Sequence, residues 1–341
     1  MNMRADVIII GTGVAGLYCA LNLPDDKRIR LITKSSLDMS DSYLAQGGIC
    51  VLKGAEDYDS FLLDTLKAGH FENDRAAVHQ MIRKSNEIVN DLISLGVEFE
   101  KKNGELLYTK EGAHSASRIL YHKDITGQEI TEKLLAQVKK KKNVVIMEHT
   151  EMIDLVCRNN RCGGVIVRTK DGINIRLDSD YTVLATGGIG GLYQDSTNYP
   201  HLTGDSLALA IRHNIAIKNI NYIQIHPTTL YSNKPGRRFL ISESVRGEGA
   251  YLLNDRKERF VDELLPRDML TQKIHQQMKK TGNMHVWLSV AHLGSDLIKN
   301  RFPNIYARCM EEGIDITREC IPVTPAQHYF MGGIAVDLHS K

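Results

Sequence analysis

Short runs of consecutive apolar residues open this chain, separated by a segment with helical character. Asp6–Ile10 and Arg28–Thr33 are rich in β-branched residues, which is typical of strands buried on both faces of a parallel sheet. Leu17–Leu23, between them, is apolar enough to form a buried helix. The pattern therefore predicts a strand, a helix and a second strand, which is the βαβ unit of an α/β fold.

Helical periodicity recurs further along the chain. Apolar residues share one face over Ser60–Ala68 and over about Asn73–Leu95, and Gly96 supplies a stop after the second segment. Thr126 followed by Glu129 has the sequence of a capping box, in which the two side chains cap the first turn of a helix. These patterns predict three further helices.

The pattern changes twice in the second half of the chain. Val144–Leu184 has strand-like alternation and predicts a small antiparallel sheet, with Tyr181–Ala185 as a further buried strand. A second glycine-rich turn, Thr186–Gly191, follows that strand. After about Asn219, histidine, arginine and proline become frequent, which indicates loops that line a polar cleft.

The composition excludes several classes of protein. The chain has 341 residues, 42% hydrophobic and 25% charged, with a net charge of +2. These values fit an ordinary globular protein of about two domains and do not favour a nucleic-acid partner. No apolar run approaches the roughly 20 residues of a membrane span, and the N-terminus lacks the pattern of a signal peptide. Six cysteines without C-x-x-C spacing predict free thiols in a reducing cytoplasm.

A G-x-G-x-x-G turn, Gly11–Gly16, follows the first strand and opens the first helix. Its glycines permit a tight bend and a close approach of backbone N–H groups to a pyrophosphate. NAD-binding turns of this type usually have an acidic residue near the end of the second strand that binds the ribose, but Thr33 and Lys34 stand here. Together with the second glycine-rich turn, this favours FAD over NAD as the dinucleotide.

Two loops outside this unit carry candidate chemistry. Ser42–Ile49 contains two adjacent glycines whose backbone amides could approach a flat ring system, and the alternative is an ordinary surface loop. Glu111–Ser115 and Arg118 form a polar cluster within a loop of more than 20 residues. Loops of that length in compact domains are usually functional or disordered.

The densest polar cluster comprises Gln224–Thr228, Ser242–Gly249, Pro266–Asp268 and Gln327–Tyr329. Arginine donates a forked pair of hydrogen bonds to a carboxylate, and histidine and serine add single ones, so this set can bind a dicarboxylate. Taken singly, each histidine of the cluster is more often structural. The sequence has no H-x-x-x-H pair and no clustered thiolates, so no metal site is predicted.

Nine motifs, in this order and spacing, resemble the succinate dehydrogenase and fumarate reductase flavoprotein family over essentially the whole chain. They are GTGVAG at 11–16, SYLAQGGI at 42–49, EGAHS at 111–115, LATGGIG at 184–190, TGDS at 203–206, QIHPT at 224–228, SESVRGEGA at 242–250, LPRD at 265–268 and AQHYFMGGI at 326–334. The resemblance is strongest to the members that oxidise L-aspartate to iminoaspartate.

The resemblance implies an α/β fold in two parts. Residues 1–219 would form a Rossmann-like FAD-binding domain with a small antiparallel sheet, and residues 220–328 an inserted α+β capping domain that binds substrate. Residues 329–341 would begin a return to the FAD-binding domain. Family members continue well past residue 341 with a second carboxylate-binding arginine and further flavin contacts. We therefore expect a truncated chain with weak or absent turnover.

Individual roles follow from the resemblance by matched position. FAD contacts are expected from Gly11, Gly13, Val14, Ala15, Gly16, Lys34, Ser42, Gln46, Gly47, Gly48, Ala185, Gly187 and Asp205. Substrate contacts are expected from Gln46, Glu111, His226, Ser242 and His328, with His226 and Ser242 on one carboxylate and His328 on the other. Arg267 would be the proton-transfer residue, and it would form the catalytic set with Glu111 and His226.

Two positions distinguish branches of the family. Membrane-bound members have a histidine that bonds covalently to the flavin where this chain has Asp41, so the resemblance implies non-covalent FAD. The dicarboxylate enzymes have a glutamine where this chain has Glu111, whose carboxylate suits an ammonium group that succinate lacks. Both residues favour aspartate oxidation over a soluble fumarate reductase or succinate dehydrogenase. A non-catalytic FAD-binding fragment is the third alternative.

The implied reaction transfers a hydride from C2 of L-aspartate to N5 of the flavin, and the reduced flavin then passes its electrons to oxygen or fumarate. Iminoaspartate would pass to quinolinate synthase in the biosynthesis of NAD. No nucleic acid and no membrane is expected as a partner.

Overall fold

The structure is a computed structural model that describes residues 4–341, and its strands form one sheet of six, one of four and three of two strands within that range. The strands, in chain order, are β1 (Arg4–Ile10), β2 (Ile29–Ile32), β3 (Ile49–Cys50), β4 (Lys101–Lys102), β5 (Glu105–Leu106), β6 (Ile119–Leu120), β7 (Val144–Met147), β8 (Glu151–Arg158), β9 (Arg161–Arg168), β10 (Asn174–Leu184), β11 (Ile217–Lys218), β12 (Ile223–Leu230), β13 (Tyr251–Leu253), β14 (Val286–Ser289), β15 (Ile321–Phe330) and β16 (Gly333–Ile334).

Helices connect and cover these strands. In chain order they are α1 (Val14–Asn22), α2 (Asp41–Leu44), α3 (Tyr58–Ala68), α4 (Arg75–Ser94), α5 (Thr126–Val138), α6 (Asp205–Arg212), α7 (Glu243–Gly247), α8 (Arg267–Thr281), α9 (Ser295–Arg301) and α10 (Pro303–Glu311). Among the described residues, no helix has both the length and the apolar character that a membrane span requires.

The six-stranded sheet has the order β7-β2-β1-β10-β9-β8. β7, β2, β1 and β10 run parallel, and β1, α1 and β2 confirm the predicted βαβ unit. β8, β9 and β10 are antiparallel as predicted, but β10 continues along β1, so all six strands form one mixed sheet. Tyr181–Ala185, predicted as a further buried strand, is extended as far as Leu184 and pairs with β1, but it is the second half of β10, and the prediction was wrong for Tyr181, which is exposed.

Alternation along β1 explains its place in the middle of the sheet. Ile8 and Ile9 are both fully buried, and they face opposite sides because successive strand residues do so. Ile9 packs in a core cluster with Leu17 of α1 and Leu134 of α5. Ile8 packs in a second cluster with Val165 of β9. The strand is therefore covered on both faces, as its continuous apolar sequence predicted.

The helices predicted from periodicity are present, but the predicted capping box is wrong. Thr126 is the first residue of α5, and its hydroxyl accepts a hydrogen bond from the backbone N–H of His122 at 3.0 Å. The Glu129 carboxylate accepts from the backbone N–H of Glu98 at 2.8 Å. Because the preceding loops engage both side chains, neither caps the helix.

The second sheet, in the order β12-β15-β14-β13, is antiparallel and packs against α8. Among the contacts that join this sheet and its helices to the rest of the protein are two from loops. Asp124, just before α5, accepts the backbone N–H of Ile305 at 2.7 Å and so caps the first turn of α10. Ser196 donates to the side-chain oxygen of Gln327 in β15 at 2.6 Å. Gln224 of β12 lines the same cavity as Ile49, which follows the loop Ala45–Gly48, termed the AQGG loop.

Candidate active site

The glycine turn after β1 contains two positions where only glycine fits. Gly11 has a φ of +115°, and a Cβ built on it would overlap the carbonyl of Ala185. A Cβ built on Gly16 would overlap the carbonyl of Gly11. The glycines thus allow α1 to begin directly against β1 and β10. The first backbone N–H groups of α1 lie at the turn, where they favour an anion.

A cavity of about 420 Å³ lies at this turn. Nine of the expected FAD contacts line it: Gly11, Gly13, Val14, Ala15, Lys34, Ser42, Ala185, Gly187 and Asp205. Gly16 lies behind the turn, and Gln46, Gly47 and Gly48 are outside the lining. The cavity is also lined by Phe330 and the residues from Gly332 to Ile334, which had not been assigned to the cofactor although they lie in the AQHYFMGGI motif.

Lys34 follows the end of β2, near the position where NAD-binding turns usually have a ribose-binding acid. In the folded protein this lysine pairs with Asp205. Lys34 donates through Nζ to Oδ2 of Asp205 at 2.6 Å and to the hydroxyl of Thr203 at 3.2 Å. Asp205 lies in the first turn of α6, 171 residues further along the chain. The tertiary structure therefore supplies the carboxylate from a distant segment, and this acid lines the cavity.

The AQGG loop runs from this cavity to a second group of polar residues. The loop follows α2, which contains Ser42. At its other end, a Cβ built on Gly47 would lie 3.4 Å from a carboxylate oxygen of Glu111. Gln46 is only 4% exposed, and its Oε1 has no hydrogen-bond partner among residues 4–341. A glycine-lined nucleotide cavity and an unpartnered buried amide oxygen fit a long dinucleotide whose flavin end lies along this loop.

Glu243, which was not among the predicted site residues, lies at the centre of the second polar group. Arg267 donates through Nε to Oε2 of Glu243 at 2.5 Å and through Nη1 to the side-chain oxygen of Gln224 at 2.6 Å. Nη2 of Arg246 lies 3.7 Å from the same carboxylate. Glu243 and Arg246 are both buried. The Glu-x-x-Arg spacing of the SESVRGEGA motif was the signal in the sequence that could have identified this pair.

The two buried carboxyl groups of this cluster titrate differently. Burial would raise the pKa of Glu243, but the charges of Arg267 and Arg246 outweigh it and hold that pKa below its usual value. Burial, followed by the charge of Glu243, raises the pKa of Glu111 to about 7. Oε1 of Glu111 is buried without a hydrogen-bond partner in the described part of the chain. Glu111 therefore lacks a direct cationic partner, whereas Glu243 has one.

His226 in β12 and His328 in β15 lie edge to face, with ring centroids 5.1 Å apart. Burial, and then the charge of Arg267, holds the pKa of His226 far below its usual value and lowers that of His328 to about 3. Both rings are therefore neutral at physiological pH. Nδ1 of His328 contacts the hydroxyl of Thr197 at 2.7 Å, and Nδ1 of His226 contacts the carbonyl and N–H of Thr228.

Ser242 is the N-cap of α7 and is buried. Its hydroxyl oxygen accepts from the backbone N–H of Ser244 at 3.3 Å and from the Ser244 hydroxyl at 2.8 Å. Both contacts use Ser242 as an acceptor, so its own hydroxyl proton is available to a ligand.

A larger cavity of about 1090 Å³ opens beside this cluster. Glu111, Glu243 and Arg267 line it together with apolar residues of α3 and α4. His226, Ser242, His328 and Gln46 are absent from its lining. The structure thus places the charged side chains of the predicted substrate set at this cavity and the neutral ones outside its lining.

The other half of the predicted Glu111–Arg118 cluster is structural. Arg118 is fully buried and pairs with Asp57 at 2.8 Å and with Asp64 at 2.6 Å. Its guanidinium also lies 5.0 Å from the centroid of the Phe61 ring. Arg118 therefore anchors this loop to α3, while Glu111 faces the candidate site. Among residues 4–341, no group of three or more histidine, cysteine or acidic side chains is placed to hold a metal ion.

Comparison with known proteins places this geometry in a family. A model described as "FAD binding domain" matches residues 6–341. The chain is 54% identical over 342 residues to the L-aspartate oxidase of Clostridium perfringens, covering 100% of this chain and 78% of the relative. It is 47% identical over 342 residues to the L-aspartate oxidase of Clostridium acetobutylicum, with 100% and 79% covered.

Solved structures of related flavoproteins share the fold. A variant of the quinol fumarate reductase of E. coli superposes with a TM-score of 0.91 at 25% identity, covering 98% of this chain and 62% of that one. The Mycobacterium smegmatis Sdh1 complex superposes with a TM-score of 0.80 at 29% identity, covering 98% and 61%. The chain thus spans about three fifths of the length of these solved chains and about four fifths of the two clostridial relatives.

Proposed function

Because this chain belongs to the L-aspartate oxidase family of flavoproteins that share the FAD-binding domain, we propose that it oxidises L-aspartate to iminoaspartate. FAD is the cofactor of this family and accepts the hydride when bound. The observation that carries the proposal is Glu111, a buried carboxyl group without a cationic partner that lines a cavity with Arg267, whose charge also acts on the neutral rings of His226 and His328. This combination of charges matches an amino dicarboxylate.

The residues of the glycine turn would hold the nucleotide. The backbone N–H groups at the start of α1 favour a pyrophosphate, and Asp205 offers carboxylate oxygens to ribose hydroxyls. The AQGG loop, with the unpartnered oxygen of Gln46, would lie along the flavin. Asp41 stands where a covalent linkage would need a histidine, so the FAD is non-covalent.

The neutral histidines and Ser242 would bind the substrate carboxylates. A histidine donates to a carboxylate through Nε2 only if Nδ1 carries no proton. The Thr197 hydroxyl can donate to Nδ1 of His328, which leaves its Nε2 as a donor. Nδ1 of His226 contacts both the N–H and the carbonyl of Thr228, and in the tautomer that accepts from this N–H, Nε2 of His226 is a donor as well. His226 supports this assignment further, because its Nε2 is buried without a partner in residues 4–341.

Glu111 would bind the substrate ammonium. An ion pair with the ammonium relieves the cost of burying the ionised carboxylate, whereas succinate would leave that charge unpaired. A carboxyl group with a pKa of about 7 can also accept the proton that the ammonium loses as the C=N bond forms. Glu111 thus separates L-aspartate from dicarboxylates without an amine.

Arg267 would complete the catalytic set as the proton-transfer residue. Arginine is a poor general base, so this role rests on the resemblance to the family. Glu243 and Gln224 hold the guanidinium through Nε and Nη1. We assign Glu243 as the residue that positions Arg267 towards the substrate.

We propose domain boundaries near residues 219 and 328, as predicted from the sequence, and the arrangement of the sheets supports them. The four-stranded sheet begins with β12 at Ile223, and its strand β15 ends at Phe330. β11 and β16, which flank it, pair with each other at Ile217 and Ile334. Oxygen or fumarate as acceptor, and transfer of iminoaspartate to quinolinate synthase, are further parts of the proposal.

Anaerobic titration of purified, FAD-loaded full-length protein tests the proposal. L-aspartate should bleach the absorbance of the oxidised flavin, and succinate should not. The matched control is His226→Ala, which should retain FAD but lose bleaching at the same L-aspartate concentration. Bleaching by succinate alone would assign the chain to the dicarboxylate enzymes, and no bleaching of a flavin-loaded protein would make it a non-catalytic FAD-binding module.

A further inference from the structure

Two cysteines face each other across a hairpin at the edge of the six-stranded sheet. Cys157 in β8 and Cys162 in β9 are direct cross-strand partners. Both are exposed free thiols. The side chains of directly opposed residues project from the same face of a sheet. The two thiols are therefore neighbours that solutes can reach, and neither lines a cavity of the candidate active site.

The turn that joins these strands determines how close the cysteines lie. Asn159 and Asn160 have φ values of +50° and +58°, as in the two-residue type I′ turn of a tight hairpin. The flanking residues, Arg158 and Arg161, are the closing pair. In such a hairpin the next pair is not hydrogen-bonded, and its Cα atoms lie about 4.5 Å apart. That separation is within the range of about 4.4–6.8 Å found for disulfides.

The Cys162 thiol can turn towards Cys157 at little cost. Its Sγ lies 3.4 Å from the carbonyl oxygen of Gly164 and 3.5 Å from the hydroxyl of Thr182. A thiol is a weak hydrogen-bond donor, so rotation about the Cα–Cβ bond gives up only weak contacts.

We propose that Cys157 and Cys162 form a peroxide-sensitive thiol pair that closes into an intrachain disulfide. Hydrogen peroxide oxidises one thiol to a sulfenic acid and releases water. The second thiol attacks that sulfur, the S–S bond forms, and a second water leaves. Two thiols and one peroxide thus give one disulfide and two waters.

The proposed function supplies the oxidant, because reduced flavin that passes two electrons to oxygen releases hydrogen peroxide. This part alone rests on the proposed function, and the reactivity of the thiol pair does not. Opposed Cβ atoms in a sheet lie about 4.5–5.5 Å apart, somewhat further than the roughly 3.8 Å of a relaxed disulfide. Such a bond is readily reduced. The disulfide of this hairpin is therefore a reversible modification that forms on exposure to peroxide.

Peptide mapping after treatment with added hydrogen peroxide tests the pair without any need for turnover. The reduced protein is treated, its remaining thiols are alkylated, and it is digested with trypsin. Cleavage after Arg158 and Arg161 separates the two cysteines, so their peptides stay together only if a disulfide joins them. We expect this linked peptide, its loss on reduction with dithiothreitol, and a fall in titratable thiols from six to four.

Single substitutions provide the controls. Cys157→Ser and Cys162→Ser should each abolish the linked peptide, and both should fold normally because the positions are exposed. Cys320→Ser, in another part of the fold, should retain it. Recovery of both peptides separately alkylated or irreversibly oxidised would overturn the proposal. So would a linked peptide of hybrid mass from a mixture of nitrogen-15-labelled and unlabelled protein, since it would show a bond between chains.

Discussion

Glu111→Gln removes a charge that the folded protein holds in a buried place. The pKa of Glu111 is about 7 in the folded protein, mainly because of burial and secondarily because of Glu243, and 4.5 is its ordinary value. Glutamine keeps the size of the side chain and has no charge. The substitution therefore isolates the electrostatic contribution of Glu111 to stability and to ligand binding.

The sign and size of the stability effect follow from the two pKa values. Below pH 4.5 the group is protonated in both states and contributes nothing. Between pH 4.5 and 7 the unfolded chain releases the proton while the folded protein keeps it, so the stability of the wild type falls as pH rises. A rise in pKa from 4.5 to about 7 corresponds to about 3 kcal/mol, at about 1.4 kcal/mol for each pKa unit.

Urea unfolding of wild type and Glu111→Gln at pH 5 and pH 8 measures this effect. The gain in stability from the substitution should be about 2 to 3 kcal/mol larger at pH 8 than at pH 5, since part of the loss has already occurred at pH 5. Comparing the two pH values cancels the pH-independent cost of the new amide. Glu105→Gln, at an exposed position, is the matched control and should show no such difference. An equal effect at both pH values would refute the raised pKa.

Calorimetric measurement of the Kd for L-aspartate, with FAD-loaded protein at several pH values, tests whether the charge of Glu111 contributes to ligand binding. If the ammonium requires ionised Glu111, the Kd of the wild type should rise about tenfold for each pH unit below about 7. Glu111→Gln should bind L-aspartate weakly, with a Kd that is independent of pH in that range. Its affinity for fumarate should differ little from that of the wild type. An equal loss of affinity for both ligands would mean that Glu111 is structural.

The remaining predictions concern other parts of the site and the fold. Gly16→Ala should abolish retention of FAD and lower stability by about 3 kcal/mol, because its Cβ would overlap the carbonyl of Gly11. The flavin absorbance of the purified protein measures FAD retention. Gly163→Ala is the control, because its Cβ would meet the Val156 carbonyl at an ordinary 3.7 Å. His226→Ala should raise the Kd for L-aspartate about tenfold to a hundredfold through loss of one hydrogen bond to a charged group, with FAD binding unchanged; an unaltered Kd would remove His226 from the substrate site. Arg118→Ala should cost about 3–5 kcal/mol in urea unfolding, because it leaves Asp57 and Asp64 partly buried without their cation. The Arg118 contacts lower the pKa of Asp57, so the difference between wild type and this variant should shrink as pH falls below the ordinary carboxyl pKa of 3.8.

Only local features could be read reliably from the sequence, and not all of them. The strand, glycine turn and helix at the start of the chain depend on neighbours within a few residues, and the structure confirms them. The capping box at Thr126 and Glu129 also looked local, but backbone N–H groups of His122 and Glu98 compete for these side chains. Tertiary partners outweighed the helix terminus there, because each side chain oxygen found a donor in the packed loops.

Charges and their partners were decided by the tertiary structure. Asp205 meets Lys34 across 171 residues, and Glu243 joins Arg267 across 24. No spacing rule predicts such pairs, although the residue types were visible. Burial likewise sets the pKa values of Glu111, His226 and His328, and burial depends on how two sheets pack together. By itself, the sequence determined which chemical groups are available and the βαβ unit at the start. The packed fold decided which of those groups meet and which are charged, because desolvation and Coulomb interactions depend on distance in space and not on distance along the chain.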